Sequence, residues 1–201
     1  MAEPRHLITM LPMNTAMAIC AGIALAAACG FRVFVPLLAT SLAAHFGYLT
    51  PSPGMVWIGH MPALIMLGVA TVVEILAYYI PWVDHLLDTI ASPMAVIAGT
   101  VAAAAAFGDI DPTFKWALAL IAGVGAAAML QGATVITRAA SMATTGGIGN
   151  PIVSTAENVG AISLCVLAVL LPIFAIALLA IIGVVMVRLY RRLRSRKAET
   201  R

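Results

Sequence analysis

Apolar stretches of about 20 residues recur along this chain and leave few folds open to it. Hydrophobic residues make up 63% of its 201 residues, and charged residues only 9%. Each stretch matches the thickness of a bilayer's hydrocarbon core, and a soluble core of this size does not need so much apolar surface. A transmembrane barrel would instead require alternating segments of about ten residues, which are absent from this sequence. We therefore predict an all-α, polytopic helical membrane protein.

Basic residues are concentrated at the C-terminus, where seven of the eleven Lys and Arg residues lie between residues 188 and 201. A basic run directly after an apolar helix is typical of a cytoplasmic end. We predict a multi-pass protein of the inner (plasma) membrane, with 188–201 as a cytoplasmic tail. Such a tail can contact anionic headgroups, so membrane lipids are the expected partners and nucleic acid is not.

Proline and glycine divide the chain into about five spans and two broken or re-entrant segments. Ser92-Pro93 and Asp111-Pro112 are start signals for helices, because proline suits the first turn. In the first half of the chain we expect a helix over 11–29, a broken stretch over 30–46 and a helix ending at 80. A helix over 94–107 follows, and then a helix over 113–131 that loses regularity through 132–146. The last helix covers 154–190 and is either straight or bent at Pro172.

Two stretches, residues 18–34 and 119–135, resemble each other, and each leads into a break followed by an arginine. We interpret residues 1–187 as one transmembrane domain with repeat halves 11–80 and 113–187, joined by a connector helix over 86–108. The expected relation is an inverted repeat, as in many transporters. Small residues on many helix faces also predict a homo-oligomer, with a dimer favoured.

Four ionisable residues lie inside or beside apolar stretches: Arg32, Glu74, Arg138 and Glu157. A charge in hydrocarbon costs about 2.5–3.5 kcal/mol, so such residues usually face a polar pathway or a partner. The arginines either hold an anion or carboxylate of a solute, or serve as structural partners of the glutamates. Glu74 either carries protons or a cation during transport, or forms an ion pair with an arginine. Both alternatives remain open for each residue.

A glycine-rich turn precedes Glu157 and provides a second candidate site, at Gly146, Gly147, Gly149 and Asn150. Glycines permit left-handed backbone, and the turn can present amides to an anion at a helix N-terminus. The alternative is a plain turn. Ser154 and Glu157 also have the spacing of a capping box, which predicts a helix start at Ser154.

Asp84 and Asp88 share one helical face, with His85 between them, and form a candidate cation site. No second set of ligands accompanies the pair, so a solvated interfacial turn is the alternative and the metal is unknown. The three cysteines have no CxxC spacing and are interpreted as packing residues. No cofactor is expected.

Three motifs resemble the bacterial membrane proteins grouped as DUF4126. They are GFRVFVPLL at 30–38, EILAYYIPWVDHLLD at 74–88, and the GGIGNP turn followed by Glu157. The resemblance extends over most of residues 15–185. It implies a helical integral membrane protein and no settled activity.

No arrangement of residues points to an enzyme, because the four histidines are scattered and no nucleophile has a base at a suitable spacing. We expect a small transporter or channel for a small anion or acidic solute, with proton coupling through Glu74 as a further hypothesis. The alternative is a non-transporting scaffold or lipid-interaction protein in which the buried charges form structural ion pairs.

Overall fold

The computed structural model describes residues 14–80 and 83–199, and these residues are helical apart from short connections. The elements are α1 (Thr15–Ala28), α2 (Phe34–His45), a 3₁₀ turn (Val56–Gly59), α3 (Met61–Ala77), α4 (Val83–Ala106), α5 (Pro112–Ala122), a π-helical segment (Gly123–Ala127), α6 (Ala128–Thr145), α7 (Asn150–Leu170) and α8 (Pro172–Glu199). No strand occurs within the described ranges. The all-α class is confirmed.

Among the residues that the structure describes, three helices are long and apolar enough to cross a membrane: Leu86–Ala106, Pro112–Thr145 and Asn150–Leu170. The second of these joins α5, the π-helical segment and α6 into one helix of 34 residues. At 1.5 Å per residue it is about 51 Å long, well beyond the roughly 30 Å of a hydrocarbon core. These helices are those of a multi-pass membrane protein.

Side chains of short polar residues start two of the helices. Asn14 accepts a hydrogen bond from the Met17 amide at 2.8 Å and so caps α1. Asp111 accepts from the amides of Thr113 and Phe114, at 2.9 and 3.3 Å, and caps α5. The start predicted at Asp111-Pro112 is confirmed, because the aspartate satisfies amides that have no partner within the helix.

The predicted loss of regularity after Gly132 is wrong, because α6 runs unbroken to Thr145. A Cβ on Gly132 would meet no atom within 4 Å, so nothing at this outer face disturbs the helix. The irregularity instead lies at the π-helical segment, where a Cβ on Gly123 would lie 2.3 Å from Thr100 Oγ1 and 2.6 Å from the Val96 carbonyl oxygen. Close contact with α4 at Gly123 thus coincides with the change of helix type.

The predicted helix start at Ser92-Pro93 is also wrong, since Pro93 lies inside α4. Helix α4 begins at Val83, close to the start at 86 of the predicted connector helix. Ser92 Oγ donates to the Asp88 carbonyl at 3.2 Å, in the turn that the proline disturbs. Proline is tolerated inside apolar helices where neighbouring groups satisfy the backbone that it disturbs. Pro93 thus lies within α4 and does not begin it.

Ser154 and Glu157 do not form a capping box, because α7 begins four residues earlier, at Asn150. Pro151 occupies its first turn, where the missing amide of proline is no loss. Ser154 and Glu157 therefore lie inside the helix and are buried. The predicted bend at Pro172 is a complete break: Leu171 has φ −139° and ψ 65°, outside the helical region, and α8 starts at Pro172.

Helices α1 and α2 form a hairpin that enters the helix bundle and returns to the same end. A Cβ on Gly22 would touch Phe107, near the C-terminal end of α4, and a Cβ on Gly30 would touch Ala127. After α2 the chain is back beside α4, where the Ser52 amide donates to Ala105 at 2.9 Å. With 14 and 12 residues, the two helices are only about 21 and about 18 Å long. The predicted break within 30–46 therefore lies at the hairpin tip, residues 29–33.

Helix α1 and the long α5–α6 helix run in the same direction. Gly22 lies beside the end of α4 that precedes α5, and Gly30 lies beside Ala127 and Gln131, farther along α5–α6. An inverted repeat requires the two helices to run in opposite directions. The predicted inversion is therefore wrong. Helices α1, α2 and α3 and the connector helix α4 precede α5–α6, and four reversals of the chain return it to the direction of α1.

Gly30 marks the closest approach of the hairpin tip to α6. A Cβ at this position would lie 2.4 Å from the Ala127 carbonyl oxygen and 2.8 Å from the Gln131 amide nitrogen, both backbone atoms that cannot turn aside. We expect Gly30→Ala to lower the free energy of unfolding by about 1–3 kcal/mol, as for other overpacked sites. Thermal unfolding of the detergent-purified protein measures the change.

Gly132→Ala is the matched control, because a Cβ there meets open space. Replacing a helical glycine by alanine without a clash leaves stability unchanged or raises it by up to about 1 kcal/mol. Equal unfolding temperatures for the two variants would show that the hairpin tip does not contact α6 as described.

Candidate functional site

Arg32, Glu74, Arg138 and Glu157, from four separate parts of the chain, meet in one buried group that we call the charged cluster. Arg32 lies in the hairpin tip, Glu74 in the last turn of α3, Arg138 on α6 and Glu157 on α7. None is more than 7% exposed. The charged residues that the sequence singled out thus belong to one site.

Glu157 is the shared partner of both arginines. Its Oε2 lies 3.1 Å from Arg32 Nη1 and also accepts from Arg138 Nη2, while its Oε1 accepts from Arg138 Nε at 3.2 Å. The contact with Arg138 is bidentate, which adds fixed geometry to the charge attraction. One carboxylate therefore holds two guanidinium groups from different helices.

Arg32 uses its remaining donors on α7 and on its own turn. Its Nε donates to Asn158 Oδ1 at 2.6 Å, and its Nη2 to the Ser154 carbonyl at 3.1 Å. A weaker bond runs from Nη1 to the Phe31 carbonyl at 3.4 Å. Each nitrogen of this guanidinium has a protein acceptor. Arg32 thus attaches the hairpin tip to α7.

Tyr78 contributes an aromatic surface to the cluster. The guanidinium carbon of Arg32 lies 3.9 Å from its ring centroid, and that of Arg138 lies 4.5 Å away. Both distances are within the range of a cation–π interaction. Ser154 Oγ accepts from Arg138 at 3.0 Å and donates weakly to the Tyr78 carbonyl at 3.4 Å. Tyr78 thus contacts the two like charges at the point where they come close together.

The sequence analysis gave Ser154 the role of a helix cap and did not include Asn158 or Tyr78. A signal for Ser154 and Asn158 was present: Ser154, Glu157 and Asn158 follow the i, i+3, i+4 spacing of one helical face in an otherwise apolar helix. Tyr78 follows Glu74 by one turn, which placed it on the same face. Its contact with both arginines depends on the tertiary structure.

Glu74 holds the start of α2. Its two oxygens accept from the amides of Val33 and Phe34, at 2.7 and 3.0 Å. These amides belong to the first turn of the helix, which lacks partners of its own and carries partial positive charge. The expected ion pair with an arginine is thus replaced by a cap supplied from another helix.

A cleft of about 760 Å³ opens between α4 and α6 and reaches the charged cluster at Arg138. Helix α4 contributes the polar residues Asp88, Thr89 and Ser92. Helix α6 contributes Arg138 and an apolar wall of Val135, Ala139, Met142 and Ala143. The cleft is large enough for a small molecule, since such sites usually measure about 300–1,000 Å³.

Asp88 lies in this cleft, with its carboxylate Oδ1 3.6 Å from Arg138 Nε. Its side chain is 21% exposed, against 4% for that of Arg138. Asp84, its expected companion in a cation site, has a side chain outside those described, so the pair remains a prediction. Among the residues that the structure describes, no three His, Cys, Asp or Glu side chains are grouped for a metal ion.

The glycine-rich turn connects α6 to α7 without joining the charged cluster. Gly146 and Gly147 have φ of 63° and 92°, values that favour glycine. The Gly149 amide donates to Thr145 Oγ1 at 3.0 Å, and Asn150 begins α7 and is buried. Glu157 follows Asn150 by seven residues, about 10 Å along the helix. The turn therefore fixes the geometry of the helices on which Arg138 and Glu157 lie.

A further buried cation, Lys115, lies at the opposite end of the bundle. Its Nζ donates to the Pro53 carbonyl at 2.9 Å and to Ser52 Oγ at 3.4 Å. Ser52 in turn donates to the Ala104 carbonyl at 2.6 Å. The lysine thus joins the loop after α2 to the start of α5 and closes the end from which the hairpin enters.

The family model of a domain of unknown function, DUF4126, matches residues 19–192. The chain belongs to this family. The DUF4126 match includes every residue of the charged cluster and confirms the resemblance carried by the sequence motifs. The chain matches no curated protein and no solved structure. Membership in DUF4126 therefore brings no activity with it.

Removing the shared carboxylate tests how far this DUF4126 fold depends on the cluster. Glu157→Gln leaves two buried guanidinium groups without their common counter-charge, so we expect the free energy of unfolding to fall by about 3–5 kcal/mol. Asp109→Asn, at an exposed loop position, is the control and should change it by less than about 0.5 kcal/mol. Denaturation in detergent measures both. An unchanged Glu157→Gln protein would contradict the role given to Glu157.

Proposed function

We propose that this DUF4126 protein is a small membrane transporter or channel for a small anion or acidic solute. The observation that carries the proposal is the cleft between α4 and α6, which Arg138 lines. A buried arginine in the lining of an open cleft is a suitable receptor for a carboxylate, because its planar fork matches carboxylate geometry. Polar residues within apolar helices commonly mark solute pathways.

The two arginines have different parts in this proposal. Glu157 binds Arg138 on two of its nitrogens and keeps its orientation fixed, while the same side chain lines the cleft. Arg32 is engaged by Asn158, Ser154 and Glu157 and does not line the cleft. We assign solute recognition to Arg138 and positioning of the hairpin to Arg32. Fixed orientation before binding lowers the ordering cost of recognition.

Proton coupling through Glu74 finds less support than the recognition step. Both oxygens of this carboxylate accept from backbone amides at the start of α2. Protonation of Glu74 would turn one of its accepting oxygens into a donor and break the bond to a backbone amide of α2. The protonation state of Glu74 would therefore affect the position of α2. The proposal therefore treats Glu74 as a positioning residue.

The proposed arrangement in the membrane has five crossing helices, α3, α4, α5–α6, α7 and α8, and one re-entrant hairpin. Helices α1 and α2, with 14 and 12 residues, fall below the roughly 17 residues of the shortest spans, whereas α3 has 17 residues. With the basic tail in the cytoplasm, the loops after α2 and α4 face outward and the cleft opens inward. The shared direction of α1 and α5–α6 agrees with parallel rather than inverted halves.

The second candidate is a scaffold or lipid-interaction protein whose buried charges serve stability alone. It is favoured by Arg32, whose hydrogen bonds all go to acceptors of the chain itself. In that case Arg138 would matter for folding and not for flux. The two candidates differ in what a folded Arg138 variant does.

Flux through proteoliposomes separates them. In the Arg138→Lys variant, the cluster keeps its charge but loses the planar fork, so we expect solute flux to fall by roughly 10–100-fold, the loss of one charged hydrogen bond. Chloride, lactate and glycerate serve as probes. Arg191→Lys, at an exposed position of α8, is the matched control and should keep wild-type flux. Wild-type flux in a folded Arg138→Lys protein would favour the scaffold, and no flux of any probe in the wild type would contradict transport of a simple anion.

Cysteine labelling tests the arrangement in the membrane. In a variant with the three native cysteines replaced by alanine, an impermeant thiol reagent added to intact cells should modify Thr50→Cys and Asp109→Cys. Ile148→Cys, in the exposed turn between α6 and α7, should react only after the membrane is opened. These positions lie at opposite ends of the helices. Labelling of Thr50→Cys and Ile148→Cys from the same side would exclude the re-entrant hairpin.

A further inference from the structure

The cleft between α4 and α6 contains opposite charges on its two walls, and this feature restricts the solute more closely than Arg138 alone does. Arg138 belongs to α6 and Asp88 to α4. Both side chains line the cleft, and their charged atoms are 3.6 Å apart. A solute bound at Arg138 therefore contacts a carboxylate as well as a guanidinium.

Arg138 is held much more firmly by Glu157 than by Asp88. The contact with Asp88 exceeds the roughly 2.7–2.9 Å of a charge-assisted hydrogen bond, whereas Glu157 binds Arg138 through both of its oxygens. Asp88 is also the more exposed member of the pair. A solute can thus displace the Asp88 contact while the orientation of Arg138 is kept.

Charge balance opposes a solute that carries only negative charge. The described side chains at the site are two guanidinium groups and three carboxylates, those of Glu74, Glu157 and Asp88. A simple anion at Arg138 would add a fourth negative charge beside Asp88, and like charges in close contact are unfavourable. A solute with one group of each sign adds no net charge and gives both Arg138 and Asp88 a new partner.

We propose that the solute of this cleft is a small zwitterion, with a carboxylate that binds Arg138 and an ammonium group that binds Asp88. The proposal rests on the transport function proposed above, and it replaces the simple anion by a carboxylate solute that also carries an ammonium group, as α-amino acids do. The apolar wall formed by Val135, Ala139 and Met142 then faces the rest of the solute. Asp88 and Arg138 together select the distance between its two charged groups.

Three sets of matched solutes test the proposal in proteoliposomes containing the full chain. Alanine and serine carry both charged groups, lactate and glycerate lack the ammonium, and alaninamide and serinamide lack the carboxylate. We expect the wild type to take up the amino acids about 10-fold or more faster than either analogue set, since each analogue can make only one of the two charge contacts with the site.

Asp88→Asn supplies the second measurement. We expect amino-acid uptake by this variant to fall about 10-fold or more. Its lactate uptake should then equal or exceed its amino-acid uptake, because the carboxylate that disfavours simple anions is gone. Asp109→Asn, exposed in the loop between α4 and α5, is the matched control and should behave as the wild type. Thermal unfolding checks that each variant is folded.

The outcomes distinguish the two proposals. Lactate uptake equal to or faster than alanine uptake in the wild type would overturn the zwitterion proposal and leave transport of acidic solutes in place. Unchanged selectivity in a folded Asp88→Asn protein would also overturn it. Uptake of none of the solutes would overturn both proposals.

Discussion

A single buried carboxylate, that of Glu157, connects the parts of this molecule that apolar packing cannot fix in register. Arg32 from the hairpin and Arg138 from α6 both bind it, at the level where α3 and α4 also meet the cluster. Alanine-rich helix faces pack closely but resemble one another, so they specify relative depth poorly. An ion pair in an apolar interior has one favourable geometry, and misplacement leaves a charge unpaired. The cluster can therefore define the depth of each helix that contributes to it.

The same constraint accounts for the hairpin. Two helices of 14 and 12 residues end inside the bundle and leave backbone groups at the tip that need partners. Glu74 accepts from the first amides of α2, and Arg32 binds the backbone and side chains of α7. Gly30 permits the backbone to approach α6. Irregular backbone within a membrane-sized bundle is tolerated here because protein groups surround it.

The sequence predicted the helical class and the four members of the cluster, because a charge in an apolar stretch requires a partner or a pathway. It did not predict which residues pair. Arg32 and Asn158 are 126 positions apart, and Val33 and Glu74 are 41 apart, so their contacts depend on tertiary packing. Local sequence signals also predicted two wrong helix starts, at Ser92-Pro93 and at Ser154. Helix α7 starts at Asn150, with Pro151 in its first turn, and not at Ser154, and Pro93 lies within α4 and not at its start. Repeat orientation was misjudged because the similarity of two segments carries no direction.

The separation of Arg32 from its partners has a consequence for biosynthesis. When residues 14–45 leave the ribosome, neither Arg138 nor Glu157 has been made, and the first hairpin lacks the counter-charge that its tip requires. Since neither of its helices is long enough to cross the bilayer, the hairpin cannot be stabilised as an ordinary span in the interval. Its final position has to await α7, so α1 and α2, which are made before the other described helices, are among the last to dock. Docking of α1 and α2 therefore depends on the synthesis of α7, and a chain that stops before residue 158 leaves both helices undocked.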